Sequence, residues 1–132
     1  DWFALQFDDG RELMVFQIRR SDGSVDPLSS GTLIDSDGSV RRLRRDAFTI
    51  EVNDTWRSPR SRATYPSRWT VGVAEAGLSL TIEPYVADQE LNVSYIYWEG
   101  AVRVEGERAG VPIVGKGYVE LTGYAGSMQE QF

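Results

Sequence analysis

The chain has 132 residues, a net charge of −6 and a pI near 4.6. That length suits one domain with a real core, and the acidity disfavours a nucleic-acid partner. Cysteine and histidine are both absent, which excludes disulfides, thiolate or histidine metal sites, and Ser-His or Cys-His nucleophile pairs.

Acid–base chemistry therefore falls to Asp, Glu, Tyr or Lys, and the residues imply no cofactor and no metal. No apolar run approaches the roughly 18 to 20 residues of a membrane span. The chain opens at Asp1-Trp2-Phe3, already inside a strand-like pattern and without an initiator methionine. The expectation is an excerpt from a longer protein.

Strand signals run from end to end. Trp2 to Phe7 alternates, with Phe3, Leu5 and Phe7 on one face. Asp9-Gly10 marks a hairpin turn, since the glycine accepts positive φ. In Glu12 to Arg19, Leu13, Met14, Val15 and Phe16 are apolar on both faces, as in a strand covered from outside. Asp22-Gly23 and Asp37-Gly38 repeat the turn signal on either side of a short strand, Ser30 to Ile34. The pattern predicts an antiparallel meander.

Val40 to Arg45 sets Arg41, Arg42, Arg44 and Arg45 around Leu43. It reads as an anion patch or as a charged edge strand that resists aggregation, the second being preferred. Ala47 to Asp54 alternates, with Phe48, Ile50 and Val52 expected inward. Thr55 to Ser67 reads as a long irregular segment. Its aromatic residues, prolines and arginines predict either a cavity mouth lined by Tyr65 and Trp69 or an aromatic plug closing a barrel end. Arg68 to Ala74 and Leu78 to Glu83 predict a hairpin, and Pro84 to Leu91 a loop. In that loop Asp88 and Glu90 read as a cap or salt bridge rather than calcium ligands, because the ladder of oxygen donors is missing. Gly126 to Phe132 reads as a tail.

The stretch from Ser94 to Tyr124 carries the most information. Ile96, Trp98, Val102 and Val104 share one face of a strand; Tyr95, Tyr97, Glu99, Arg103 and Glu105 share the other. In the next strand, Val119 and Leu121 share a face with Gly115 and Gly117, opposite Tyr118, Glu120, Thr122 and Tyr124. A face mixing tyrosine with glutamate fits the wall of a polar-lined cavity, an interface, or a wet surface with tyrosines as cross-strand filler. A carboxylic acid among aromatic rings can stay protonated through desolvation and donate its proton to an alkene. The rings could then stabilise a carbocation. On this reading Tyr65, Trp69, Tyr97, Glu99, Tyr118 and Glu120 are the candidate ligand-binding residues, and Glu99 and Glu120 the weak catalytic candidates. Roughly nine or ten short strands with no helical period predict an all-β, antiparallel barrel.

Several segments stand in a recognisable order: Asp1-Trp-Phe-Ala-Leu-Gln-Phe7, Glu12-Leu-Met-Val-Phe-Gln-Ile-Arg19, Trp56-Arg-Ser-Pro59, Tyr65-Pro-Ser-Arg-Trp69, Asp88-Gln-Glu90, Tyr97-Trp-Glu-Gly100 and Gly117-Tyr-Val-Glu-Leu-Thr-Gly-Tyr124. Together they resemble the AttH-like, lipocalin-like family that includes carotenoid 1,2-hydratases, over nearly the whole chain. The resemblance implies that residues 1–132 form a single lipocalin-like barrel, the second of two tandem barrels in the parent. The partner would be the upstream barrel, and the ligand a hydrophobic unsaturated small molecule. Some relatives hydrate a carbon–carbon double bond; others look like exported, periplasmic or secreted proteins beside ABC-transporter genes. The acid suggested for the hydratases belongs to the upstream half and matches no residue here.

Overall fold

The structure, a computed structural model, describes residues 1–126. Of the tail expected from Gly126 to Phe132, only Gly126 lies within the described residues. Ten strands form one antiparallel sheet: β1 (Trp2–Phe7), β2 (Glu12–Phe16), β3 (Ser30–Ile34), β4 (Val40–Leu43), β5 (Thr49–Arg57), β6 (Thr64–Val73), β7 (Leu78–Pro84), β8 (Glu90–Asn92), β9 (Ile96–Arg108) and β10 (Val111–Leu121). The only described helices are single 3-10 turns at Arg45–Ala47 and Ala74–Ala76. No described helix is long and apolar enough to cross a membrane.

The hydrogen-bonded order is β4-β3-β2-β1-β10-β9-β7-β6-β5, with β8 beside the start of β9. The sheet is thus two up-and-down meanders joined where β1 pairs with β10, Phe3 opposite Val119 and Leu5 opposite Gly117. The Ser94–Tyr124 stretch, the last in the chain to enter the sheet, forms its centre, because β10 has the long register that holds both meanders. The two edges, β4 and β5, are neighbours in sequence. Laid flat, eight strand spacings of about 4.8 Å would separate them by about 38 Å. The connection through residues 44–48 reaches about 20 Å at full stretch. The sheet must therefore curl into a half-barrel, as the all-β, lipocalin-like reading requires.

Turn chemistry sets the first hairpins. Gly10, Gly23 and Gly38 have φ of 84°, 85° and 86°, accessible to glycine at little cost. The Asp22 and Asp37 carboxylates accept bonds from the backbone and hydroxyl of Ser24 and Ser39. Asp9 and Asp37 close the β1–β2 and β3–β4 hairpins. Asp22-Gly23 instead tips a small excursion between β2 and β3, tied by an Arg19–Val25 bridge.

The concave face is filled. Phe3, Tyr65 and Trp69 are fully buried, Trp98 almost so, and they pack with Leu13, Val15, Leu33, Val71, Ile82 and Val119. Phe3 meets Trp69 edge-on with ring centroids at 5.5 Å, and Trp69 meets Trp98 at 6.5 Å. Burying rings of this size supplies a large part of the core's apolar area.

The sequence misplaced two stretches. The loop expected from Pro84 to Leu91 shrinks at both ends, because β7 runs through Pro84 and β8 starts at Glu90. The second differs more. Thr55 to Ser67 is mostly strand: β5 runs through Arg57 and β6 starts at Thr64. Only residues 58–63 form a loop. A register shift between Val52 and Thr55 breaks the period-two pattern there. Val52 precedes that irregularity and stays in register opposite buried Trp69, so it lies on the inward face as expected; its 45 % exposure reflects its place on the sheet's edge strand.

Candidate functional site

Tyr65 and Trp69 lie in the packed core, away from the tyrosine–glutamate row. Trp56 stacks on Tyr65 at 6.1 Å and 20°, and the Tyr124 ring lies tilted against Tyr65 at 5.7 Å. The segment therefore plugs the barrel end. Tyr124, expected on the tyrosine–glutamate face, turns toward the core once β10 has ended at Leu121.

A polar clamp that the sequence reading missed holds this plug. The Glu90 side chain is 1 % exposed. It accepts hydrogen bonds from Ser58 Oγ at 2.7 Å and Ser61 Oγ at 2.5 Å. Burial alone would raise its pKa, but the hydroxyls of Ser61 and Ser58, with the Arg60 guanidinium nearby, hold the carboxyl below its ordinary value. Burial, then proximity to Glu90, pushes the Tyr65 phenol upward. Arg60 bridges to Asp88 at 2.6 Å. Gln89 does the work of a missing strand. Its amide accepts from Ala101 N at 2.9 Å and donates to Ala101 O at 3.1 Å. Gly100 makes room for it, since a Cβ there would lie 2.5 Å from that amide. Asp88-Gln-Glu90 is thus a three-point clamp, which agrees with a cap and salt bridge. Its sequence signal was the pair of serines in the facing loop.

The other candidates come together on the convex face. Register places Phe16, Trp2, Glu120 and Glu99 in one row across β2, β1, β10 and β9. Met14, Ala4, Tyr118 and Ala101 form the next row. Tyr97 adjoins Glu99 on β9, with its ring 4.9 Å from that of Tyr95. Burial and then the Glu99 charge raise the Tyr97 phenol. Trp2 is 38 % and Tyr118 49 % exposed, while Met14, Phe16, Glu99 and Glu120 are half-buried. Leu13 and Val15, expected to cover an outer surface, face the core instead. Met14 and Phe16 are the outward pair.

Three concavities mark this face. One of about 590 Å³ lies over β7 and β9 beside the charged side chains of Arg68, Glu83, Arg103 and Glu105; the other two adjoin the tyrosine–glutamate rows. A groove of about 450 Å³ lies over β1, β2 and β10 around Ala4, Gln6 and Gly117. Met14, Ile34, Tyr85 and Tyr118 flank it, and its lining is mostly apolar. It exists because Ala4 and Ala101 are small where their neighbours are tall. A wider cleft of about 1150 Å³ lies at the other end, between Trp2, Phe16, Arg19, Glu120 and Tyr124. There the buried Asp1 carboxylate accepts from Tyr124 Oη at 3.0 Å, and Arg19 stacks on the Tyr124 ring at 3.9 Å. Among the described residues no three carboxylates converge to hold a metal ion.

This architecture defines a lipocalin-like curled β domain whose inside is full and whose outside is furnished. Residues 1–124 match the AttH-like family profile, and the chain belongs to that family. A candidate AttH protein of Nitrosomonas europaea has a crystal structure that superposes with a TM-score of 0.81 at 39 % identity, covering 93 % of this chain and 38 % of that one. Kievitone hydratase of Nectria haematococca superposes with a TM-score of 0.74 at 20 % identity, covering 91 % and 37 %; at that identity the likeness concerns the fold. The chain thus spans little more than a third of either relative and corresponds to one domain of a larger AttH-like protein. No curated protein sequence matches it.

Proposed function

We propose that this domain serves its parent as a binding wall, with a hydrophobic, unsaturated small molecule held on the convex face of β1, β2, β9 and β10. The observation that carries this reading is the division between faces. Trp69, Trp98, Tyr65 and Phe3 fill the space inside the curl, whereas Trp2, Met14, Phe16 and Tyr118 leave apolar surface outside it. Contiguous exposed apolar surface on a domain marks a ligand or a partner. The remainder of the parent, which the relatives' lengths imply, would close over this wall. In the enzymatic form of the reading, the parent adds water across a carbon–carbon double bond. Glu99 and Glu120, opposite each other in register, then supply a proton donor or a water-orienting carboxylate, and Tyr97 a π face.

A second reading is a non-catalytic exported binding protein serving an ABC transporter. The groove favours it: its lining holds no buried carboxylate, and Glu12 is exposed at its rim. One experiment separates the two. The isolated chain and the full-length parent are incubated with polyene substrates and assayed for alkene hydration. Hydration by the parent, lost in Glu99→Gln or Glu120→Gln, supports the enzyme. Saturable polyene binding without hydration supports the carrier. Absence of polyene binding by both proteins refutes the ligand-binding reading.

A further inference from the structure

The convex groove has one chemically distinct end. Lys116 is the chain's only lysine, and it is exposed at the groove's edge on β10. Register sets Gln6 of β1 and Arg103 of β9 beside it. Neither neutralises it. Arg103 is itself a cation, already bonded to Glu83. Gln6 points its amide to Glu12 Oε1 at 3.5 Å, and Glu12 lies two strands from Lys116, about 10 Å away. Among the described residues Lys116 has no ion pair, although the chain carries a net charge of −6. An unpaired ammonium in an acidic protein, at the end of a mostly apolar trough, complements an anion attached to an apolar body.

We infer that the groove binds an elongated apolar molecule with one anionic end, a carboxylate of the fatty-acid type, with the chain on Ala4 and Ala101 and the anion on Lys116. The inference rests on the binding-wall reading and adds the charge and orientation of the ligand. The volume of about 450 Å³ falls within the roughly 300–1,000 Å³ of small-molecule sites. The ridges of Met14 and Tyr118 on either side of Ala4 restrict the occupant to a narrow one. Ala4 and Ala101 give the anion's tail direct contact with the sheet, and Lys116 supplies three donors to a carboxylate at the edge.

The test uses the 132-residue chain, a fluorescent conjugated-polyene fatty acid and its methyl ester, with binding followed by energy transfer from tryptophan. The acid is expected to bind saturably, and the ester about fivefold more weakly, the scale of one exposed ion pair. Lys116→Gln should bring the acid to the ester's affinity and leave the ester unchanged. Ala4→Phe and Ala101→Leu, each checked for folding by circular dichroism, should obstruct both probes. As the only side-chain amine, Lys116 also reports directly: the acid should protect it from acetylation and the ester should not. Equal binding of acid and ester, or an unchanged Lys116→Gln, overturns the inference and leaves the binding wall standing. Binding that survives both filling variants places the probe elsewhere and also overturns it. A groove open in this chain but closed to acid and to acetylation in the longer parent assigns it to domain docking, with the same consequence. If neither probe binds, the binding-wall reading falls as well.

Discussion

Replacing Glu90 by glutamine tests whether the three-point clamp holds the barrel end shut. The carboxylate receives two hydroxyl bonds, at 2.7 and 2.5 Å, with its side chain 1 % exposed. A hydrogen bond to a buried charged group contributes about 1.5–3 kcal/mol, so the two together would sum to about 3–6 kcal/mol. The structure lowers that figure. Ser58 Oγ also accepts from the backbone of Arg60 and Ser61, and Ser61 Oγ from Ala63, so neither hydroxyl is orphaned. Arg60, 58 % exposed, can turn to water. The expected cost is about 2–4 kcal/mol, a large fraction of the ~5–15 kcal/mol that stabilises a domain of this size. Urea titrations followed by tryptophan fluorescence measure it at fixed m.

The pH dependence has a definite sign. Glu90 is held below its ordinary value of 4.5 in the folded chain, so the folded state binds this proton less readily than the unfolded one. Its contribution is complete above about pH 5 and is lost as pH falls through the folded pKa. Glutamine does not titrate, so the gap between native and variant should narrow between pH 7 and pH 3. A variant within about 0.5 kcal/mol of native at pH 7, the scatter of ordinary surface substitutions, refutes the clamp. A gap that stays constant with pH refutes the charged state assigned to Glu90.

Three further outcomes follow from the same packing. Trp69→Ala should cost about 3–5 kcal/mol in urea unfolding, because the ring fills the core; a near-neutral result would mean that it lines an open cavity. Gly100→Ala forces Gln89 off Ala101 and should destabilise by about 1–3 kcal/mol, visible as faster amide exchange at Ala101. Asp9→Ala removes the partner of Arg11, whose side chain is 4 % exposed in a 2.9 Å pair. The uncompensated cation should cost about 2–4 kcal/mol in urea unfolding, somewhat less than a fully buried pair because Asp9 is 35 % exposed.

The fold was legible because its signals are local. Alternation set the inward faces of β1, β9 and β10, and Asp-Gly turns set two hairpins. What the alternation could not say was which meander β10 would join, since β1 and β10 lie a chain length apart. It also failed around Asp54, where two successive register shifts interrupt the ladder although Ile50, Val52 and Trp56 keep core-facing partners. The tyrosine–glutamate row was found as a face, but its side of the sheet was not. Period two separates two faces without saying which is concave. Trp98 and Trp69 decide that through their tertiary partners, as Glu90 does through serines from a loop that read as irregular.

Curvature itself links the filled core to the outer groove. In a half-barrel the concave face loses area as it curls, so bulky residues such as Trp69, Trp98, Phe3 and Tyr65 exhaust its volume quickly. The convex face gains area, and its side chains splay apart. Small residues there leave a low point between taller neighbours, as Ala4 does between Met14 and Tyr118. A domain built this way fills its interior and leaves surface relief outside. Enlarging Ala4 should therefore affect recognition more than stability, and shrinking Trp69 should do the reverse. That crossed pattern is the signature expected of a domain that binds on its convex side.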